Sequence, residues 1–252
     1  MIQRKQILFF GTIAIAFGIL SKFFIFKGTS QKLTADCNID ICEEEAVVVL
    51  HGLVRSSASM NKISQALNDA GYTVCNIQYP SRKYSIEKLA VEIYPEIKQC
   101  LPNVGKVNFV THSMGGIIVR QLARSTDLKI DRVVMLSPPN RGSELVDKLK
   151  IIPFFKLING EAGLSLGTDK SSVPNRLGGV NFETGIITGD RSYNPIYSYL
   201  IKGADDGKVS VSRARISGMK DFLVVPHSHS FIMNSDVAIA QTINFMKFGK
   251  FD

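Results

Sequence analysis

The 252-residue chain lacks the residue spacings from which zinc sites and nucleic-acid-binding faces are usually built. Its four cysteines, Cys37, Cys42, Cys75 and Cys100, include no Cys-x-x-Cys pair, and no histidine stands close to any of them. Zinc ligands come at short, recurrent spacings, so no metal is expected, and no organic cofactor is implied. Basic residues outnumber acidic ones by eight, yet they form no run. Four of those charges, on Arg4, Lys5, Lys22 and Lys27, fall in residues 1–27, which hold no acid, and the rest of the chain carries only +4. A charge spread so thinly makes no footprint for a nucleic acid, and none is expected as a partner. Internal repeats and low-complexity tracts are also missing, which removes solenoids and disordered chains.

Long apolar runs are scarce too, except at the start. Ile7 to Leu20 is an uncharged stretch of fourteen residues behind Arg4 and Lys5, and Phe23 to Phe26 resumes it after Ser21 and Lys22. The window 7–26 has about the length that spans a hydrocarbon core, and a lysine near its end can reach the interface. A buried helix would show a polar face, and this segment has none. Residues 1–27 are therefore expected to be a membrane anchor, with a cleaved export signal as the alternative. Arg4 and Lys5 on the cytoplasmic side would place the remainder on the extracytoplasmic side, anchored or exported. The even cysteine count agrees with an oxidising compartment. Cys37–Cys42 with Cys75–Cys100 is one pairing, and buried free thiols are the other reading.

After a polar linker at 28–45, apolar runs alternate with helical patterns through a domain expected at 46–252. Ala46 to Leu50 is a continuous, mostly β-branched run, read as a strand buried on both faces. Ser57 to Ala70 and Ser85 to Cys100 have helical periods, with Tyr72 to Gln78 between them as a strand. Lys106 to Val110 reads as a strand, Met114 to Arg124 as a helix and Arg132 to Leu136 as a strand. Gly185 to Thr188 and Phe222 to Val225 are later strands, and Val237 to Phe248 is the closing helix. Strands separated by such helices mean β-α-β units, and hence a mostly parallel sheet with helices on both faces. Residues 141–182 break this rhythm with glycine, serine, proline and the apolar cluster Ile151 to Ile158. They read as an insertion over the carboxyl ends of the strands, either an acyl-binding cover or a packed cap.

The segment Phe109-Val110-Thr111-His112-Ser113-Met114-Gly115-Gly116 stands between a predicted strand and a predicted helix. A nucleophilic serine needs that context, because a sharp turn there lifts its hydroxyl off the sheet and the helix N-terminus aims N–H groups at a developing oxyanion. Thr111 occupies a position where glycine is usual, and its branched side chain crowds the turn. His51-Gly52-Leu53-Val54-Arg55-Ser56 follows the first strand, where the other half of an oxyanion hole would be made. Leu53 and Met114 are the two expected backbone donors. A base is also needed. His51 and His112 belong to these loops, which leaves His227 and His229; two residues apart on an extended segment, both would point the same way. For the acid, Asp206 in the Asp205-Asp206-Gly207-Lys208-Val209 turn is preferred, with Asp205 and Asp190 as alternates.

These motifs resemble those of the α/β-hydrolase superfamily, and in particular its bacterial lipase- and esterase-like members. The resemblance runs from about Val47 to the C-terminus, through VVVLHGLVRS, FVTHSMGGIIVRQ, VVMLSPPNRGSELVD, GADDGKVSV and HSHSFIM. It implies an α/β-hydrolase fold with a small cap. It also implies Ser113 as nucleophile, Asp206 as acid and His229 as base, acting on carboxylic esters with lipid esters among the candidates. A thioesterase, amidase or protein deacylase with the same triad is the alternative within enzymes. A catalytically silent binding domain is the alternative outside them, because fold does not dictate activity.

Overall fold

Residues 45–102 and 105–252 are described by the computed structural model; the expected leader, the linker through residue 44, and Cys37 and Cys42 lie outside them. The first strand, β1 (Ala46–Leu50), is buried along its whole length. Ala46, Val48 and Leu50 enter the core on one face of the sheet, and Val47 and Val49 enter the core on the other. A strand that is apolar on both faces needs helices on both.

The chain continues through α1 (Asn61–Asp69), β2 (Thr73–Ile77), α2 (Ile86–Cys100), β3 (Val107–His112), α3 (Met114–Ser125) and β4 (Ile130–Leu136). Next come α4 (Glu144–Leu149), α5 (Pro153–Leu164), α6 (Val173–Arg176), β5 (Glu183–Gly189), α7 (Pro195–Leu200) and α8 (Val211–Ala214). The last two elements are β6 (Asp221–Val225) and α9 (Asp236–Phe248). Helices α2 and α3 cover the face that receives Val48, while α1 and α9 cover the face that receives Val47. Cys75 of β2 and Cys100 at the end of α2 are joined by a disulfide that ties this edge strand to its helix.

Among the described residues, six strands pair in parallel, in the order β2-β1-β3-β4-β5-β6. The chain moves outward from β1 to β2, then returns to lay β3 on the other side. The order therefore reverses between β1 and β3, and open α/β sheets bind ligands in the crevice beyond such a reversal. Leu50 is level with Thr111 in this pairing. The loop after His51 and the turn after His112 consequently leave the sheet side by side.

The structure departs from the sequence reading in short elements. The helix expected from Ser57 opens with a 3₁₀ turn, Ser57–Met60, before α1 begins. The expected insertion contains α4, α5 and α6, and neither α7 nor α8 was foreseen. Four to six residues are little more than one turn, too few to show a helical period. Pro153 opens α5 at its first turn, where the missing N–H costs nothing. The helix breaks at Gly160 (φ 65°, ψ −167°). A side chain there would collide with the Arg82 carbonyl. Among the described residues no helix is long and apolar enough to cross a membrane.

Candidate active site

Between β3 and α3 the chain reverses within a single residue. Ser113 takes φ 54° and ψ −120°, a left-handed conformation that is strained for an L-residue. Its N–H donates to the Leu136 carbonyl at 2.8 Å, which pins the turn to β4. The turn is tight because α3 starts against the end of β1: a Cβ on Gly115 would lie 2.7 Å from the Leu50 carbonyl oxygen and 3.0 Å from that of His51. Thr111 fits for a related reason. It is fully buried, and its hydroxyl fills space that a side chain on Gly116 would need, 3.3 Å from where that Cβ would stand. The crowding expected of threonine is relieved by the glycine across the turn.

Ser113 Oγ lies 2.9 Å from His229 Nε2, and His229 Nδ1 lies 2.9 Å from Asp206 Oδ2. The His229 backbone is held as well: its N–H donates to the Asp206 carbonyl, and its carbonyl accepts from His112 Nε2, both at 2.8 Å. The other Asp206 oxygen accepts the Val209 and Lys208 amides at 2.8 and 3.0 Å. Burial alone would raise the Asp206 pKa. The charge and hydrogen bond of His229, with the Val209 amide, together outweigh burial and hold it below the usual carboxylate value. An ionised carboxylate only accepts, so Nδ1 carries the proton and Nε2 is free to take one from Ser113.

The alternates lie elsewhere. Asp205 is buried but accepts from the Gly207 amide and the Ser198 hydroxyl. Asp190 faces its own neighbour Arg191 at 3.5 Å. The segment expected to be extended instead bends after β6, with the His227 N–H turned back to the Val225 carbonyl at 2.7 Å. That bend leaves His227 half-buried, while His229 is buried and meets Ser113.

The two amides singled out from the sequence flank the same turn. Among the described residues neither the Leu53 nor the Met114 N–H has an acceptor. The loop bearing Leu53 is strained at Val54, a β-branched residue at φ 58° whose N–H donates to Ser81 Oγ at 3.1 Å. The sequence reading missed what braces this loop. His51 stacks on Tyr79, accepts the Tyr79 amide on Nε2 and donates from Nδ1 to the Gly52 carbonyl; the Tyr79 hydroxyl donates to the His51 carbonyl. Burial lowers the His51 pKa. It missed His112 too, whose pKa burial and then His229 push well below the ordinary value, so that it serves as a neutral donor. Their adjacency to the two site motifs was the available signal.

A cavity of about 600 Å³ opens at Ser113 and His229. Its walls are mostly apolar, with Leu145, Leu149, Ile152, Phe155, Ile158 and Leu166 among them, all from the segment read as an insertion. Among the described residues no group of three or more His, Cys, Asp or Glu could hold a metal ion. What the arrangement can do chemically is deprotonate a hydroxyl beside two unpaired N–H groups, at the mouth of an apolar cavity.

Residues 45–156 match the family profile described as the alpha/beta hydrolase fold. A triacylglycerol lipase of Pseudomonas fragi is 30% identical over 112 residues, which are 42% of this chain and 38% of that enzyme. The chain thus spans about two-fifths of the curated relative it matches. Among solved structures, the mature lipase BlEst2 of Bacillus licheniformis superposes with a TM-score of 0.64 at 19% identity, covering 82% of this chain and 93% of that one. The phospholipase PlaB of Legionella pneumophila gives 0.65 at 18%, over 82% and 60%. The chain adopts the α/β-hydrolase fold, and over 112 residues its sequence is similar to that of a bacterial lipase.

Proposed function

We propose that this protein hydrolyses carboxylic esters, lipid esters among them, through an acyl-enzyme on Ser113. One observation carries the reading: two successive 2.9 Å hydrogen bonds link Ser113, His229 and Asp206 at a strained strand-to-helix turn. In the first half-reaction Ser113 Oγ attacks the acyl carbonyl carbon and His229 Nε2 takes its proton. The carbonyl oxygen becomes an oxyanion that accepts from the Leu53 and Met114 amides, a contact worth about 3 kcal/mol per donor in such sites. Collapse breaks the bond to the alkoxy oxygen, and His229 protonates the departing alcohol. In the second half-reaction water, deprotonated by His229, attacks the acyl-enzyme and releases the acid and Ser113. Asp206 keeps the imidazolium oriented throughout and is not itself protonated. The apolar cavity supports an acyl chain as the group accommodated, in keeping with the lipases that this chain resembles.

The reading extends to location. The apolar leader and the Cys75–Cys100 disulfide support export, with residues 1–27 as the anchor. The chain is expected to stay with membranes after a carbonate wash; release into the supernatant would point to a cleaved signal.

The deciding experiment treats the folded full-length protein with a fluorophosphonate and locates the adduct by peptide mass spectrometry. One adduct on Ser113, absent when the protein is denatured before the reagent is added, is expected. No adduct, or an adduct elsewhere, overturns the assignment.

A further inference from the structure

The cavity at Ser113 combines mostly apolar walls with two cationic residues. Arg55 and Lys208 both line it, and no carboxylate does. A second cleft, of about 830 Å³, adjoins it and shares Val54, Arg55 and Ile158. That cleft adds Arg82 and Lys83 and again holds no carboxylate. Among the described residues, none of these four cations forms an ion pair, whereas Arg132, Arg176, Arg213 and Lys220 elsewhere on the protein all do.

Of the two cations that line this cavity, Arg55 is held through its side chain and Lys208 through its backbone. The Arg55 guanidinium donates to the carbonyl of Ser230, next to His229, at 3.0 Å. The Lys208 amide donates to Asp206 Oδ1 at 3.0 Å, and its carbonyl accepts from Ser143 Oγ at 2.6 Å. The Lys208 ammonium itself has no acceptor among the described residues. Lys208 is exposed to solvent overall, and partial desolvation and then the neighbouring Arg55 lower its pKa more than Asp206 raises it. Two like charges that line one cavity repel each other, and a bound anion relieves that repulsion while gaining charge-assisted hydrogen bonds.

We propose that the ester cleaved at Ser113 carries an anionic group of phosphate type on its alcohol side, bound by Arg55 and Lys208 and facing the cleft of Arg82 and Lys83. The acyl chain takes the apolar walls of α4 and α5, and the charged part lies against the two cations. The substrate is then an anionic amphiphile of the acylglycerol phosphate class. This deepens the ester-hydrolase reading and rests on it.

The test compares dodecanoylglycerol phosphate with monododecanoylglycerol, which share an acyl chain and an ester. The full-length protein is expected to favour the phosphate in kcat/KM by about tenfold or more. Lys208→Gln and Arg55→Gln are expected to bring that ratio toward one. Because a ratio is read, a general loss of activity cancels. A wild-type ratio of one or less, or a ratio that neither substitution moves, overturns the proposal. Calorimetry on Ser113→Ala with the same two compounds separates binding from chemistry and should show the same preference. If neither compound is turned over by the wild type while that preference persists, the anionic ligand stands and the hydrolase reading falls. Inorganic phosphate supplies the last arm: binding as tight as that of dodecanoylglycerol phosphate would mean a site for a free anion and would overturn the proposal.

Discussion

The turn at Ser113 and the helices that overhang it are built on opposite terms. At the turn, nearly every residue is set by something it touches. Gly115 is small because the end of β1 lies against it, Thr111 fits because Gly116 makes room, and His112 holds the strand end to the His229 backbone. Around the start of α5 the reverse holds: Ile151, Phe154 and Leu157 are 82, 68 and 75% exposed. Among the described residues, little packs against these apolar side chains. One region is specified by its own packing. In the ester-hydrolase reading, the other is specified by what it meets.

This contrast can be broken by experiment. Ser113→Ala should lower kcat by about a millionfold while leaving the urea midpoint unchanged, since the methyl occupies the same space and only the nucleophile is lost. Asp206→Asn should cost about a thousandfold or more in kcat, because the amide no longer favours the Nδ1-protonated tautomer of His229. Residual activity near wild type in either variant would sink the triad. Gly115→Ala should lower the unfolding free energy by about 2–3 kcal/mol in urea titrations, as overpacking against the Leu50 carbonyl demands. A neutral result would show the turn to be less constrained than its contacts imply.

A fourth test uses pH. His112 has a folded pKa below its unfolded value of about 6.5, so the unfolded chain takes up the proton first. The stability this contributes is complete above about pH 6.5 and is lost as the pH falls toward the folded pKa. His51 acts with the same sign, and Asp206 does so again below about pH 4. The urea midpoint should therefore drop between about pH 7 and pH 5, and it should drop less in His112→Gln. The smallest effect is expected in the overhang. Phe154→Ser should change stability by less than about 0.5 kcal/mol, yet reduce the preference for long over short acyl chains several-fold. A large loss of stability would mean that the fold does depend on this surface.

The same contrast explains what could be read in advance. β1 announces itself as an unbroken apolar run because it is covered on both faces, and the strand, turn and helix around Ser113 are legible because sterics leave few alternatives there. Spacing alone did not choose between His227 and His229, and only the family resemblance pointed to His229. The choice depends on a bend after β6 that two-residue spacing cannot reveal. Asp205 and Asp206 are both buried neighbours, and only the hydrogen bonds of the folded turn separate them. The tolerance for Thr111 comes from a contact across the turn. Helices α4 and α6 to α8 were invisible because one turn has no period.

The break at Gly160 divides α5 into parts with different histories ahead of them. Beyond it, Ala162 and Gly163 are buried and bound to the rest of the molecule. Before it, the side chains from 151 to 158 stand mostly free of the core. In the ester-hydrolase reading, a mutation in that earlier stretch bears less on folding than on how substrate is met. The preceding stretch is therefore where this lineage can change its diet at little risk to the fold, and Gly160 is the border at which that freedom ends.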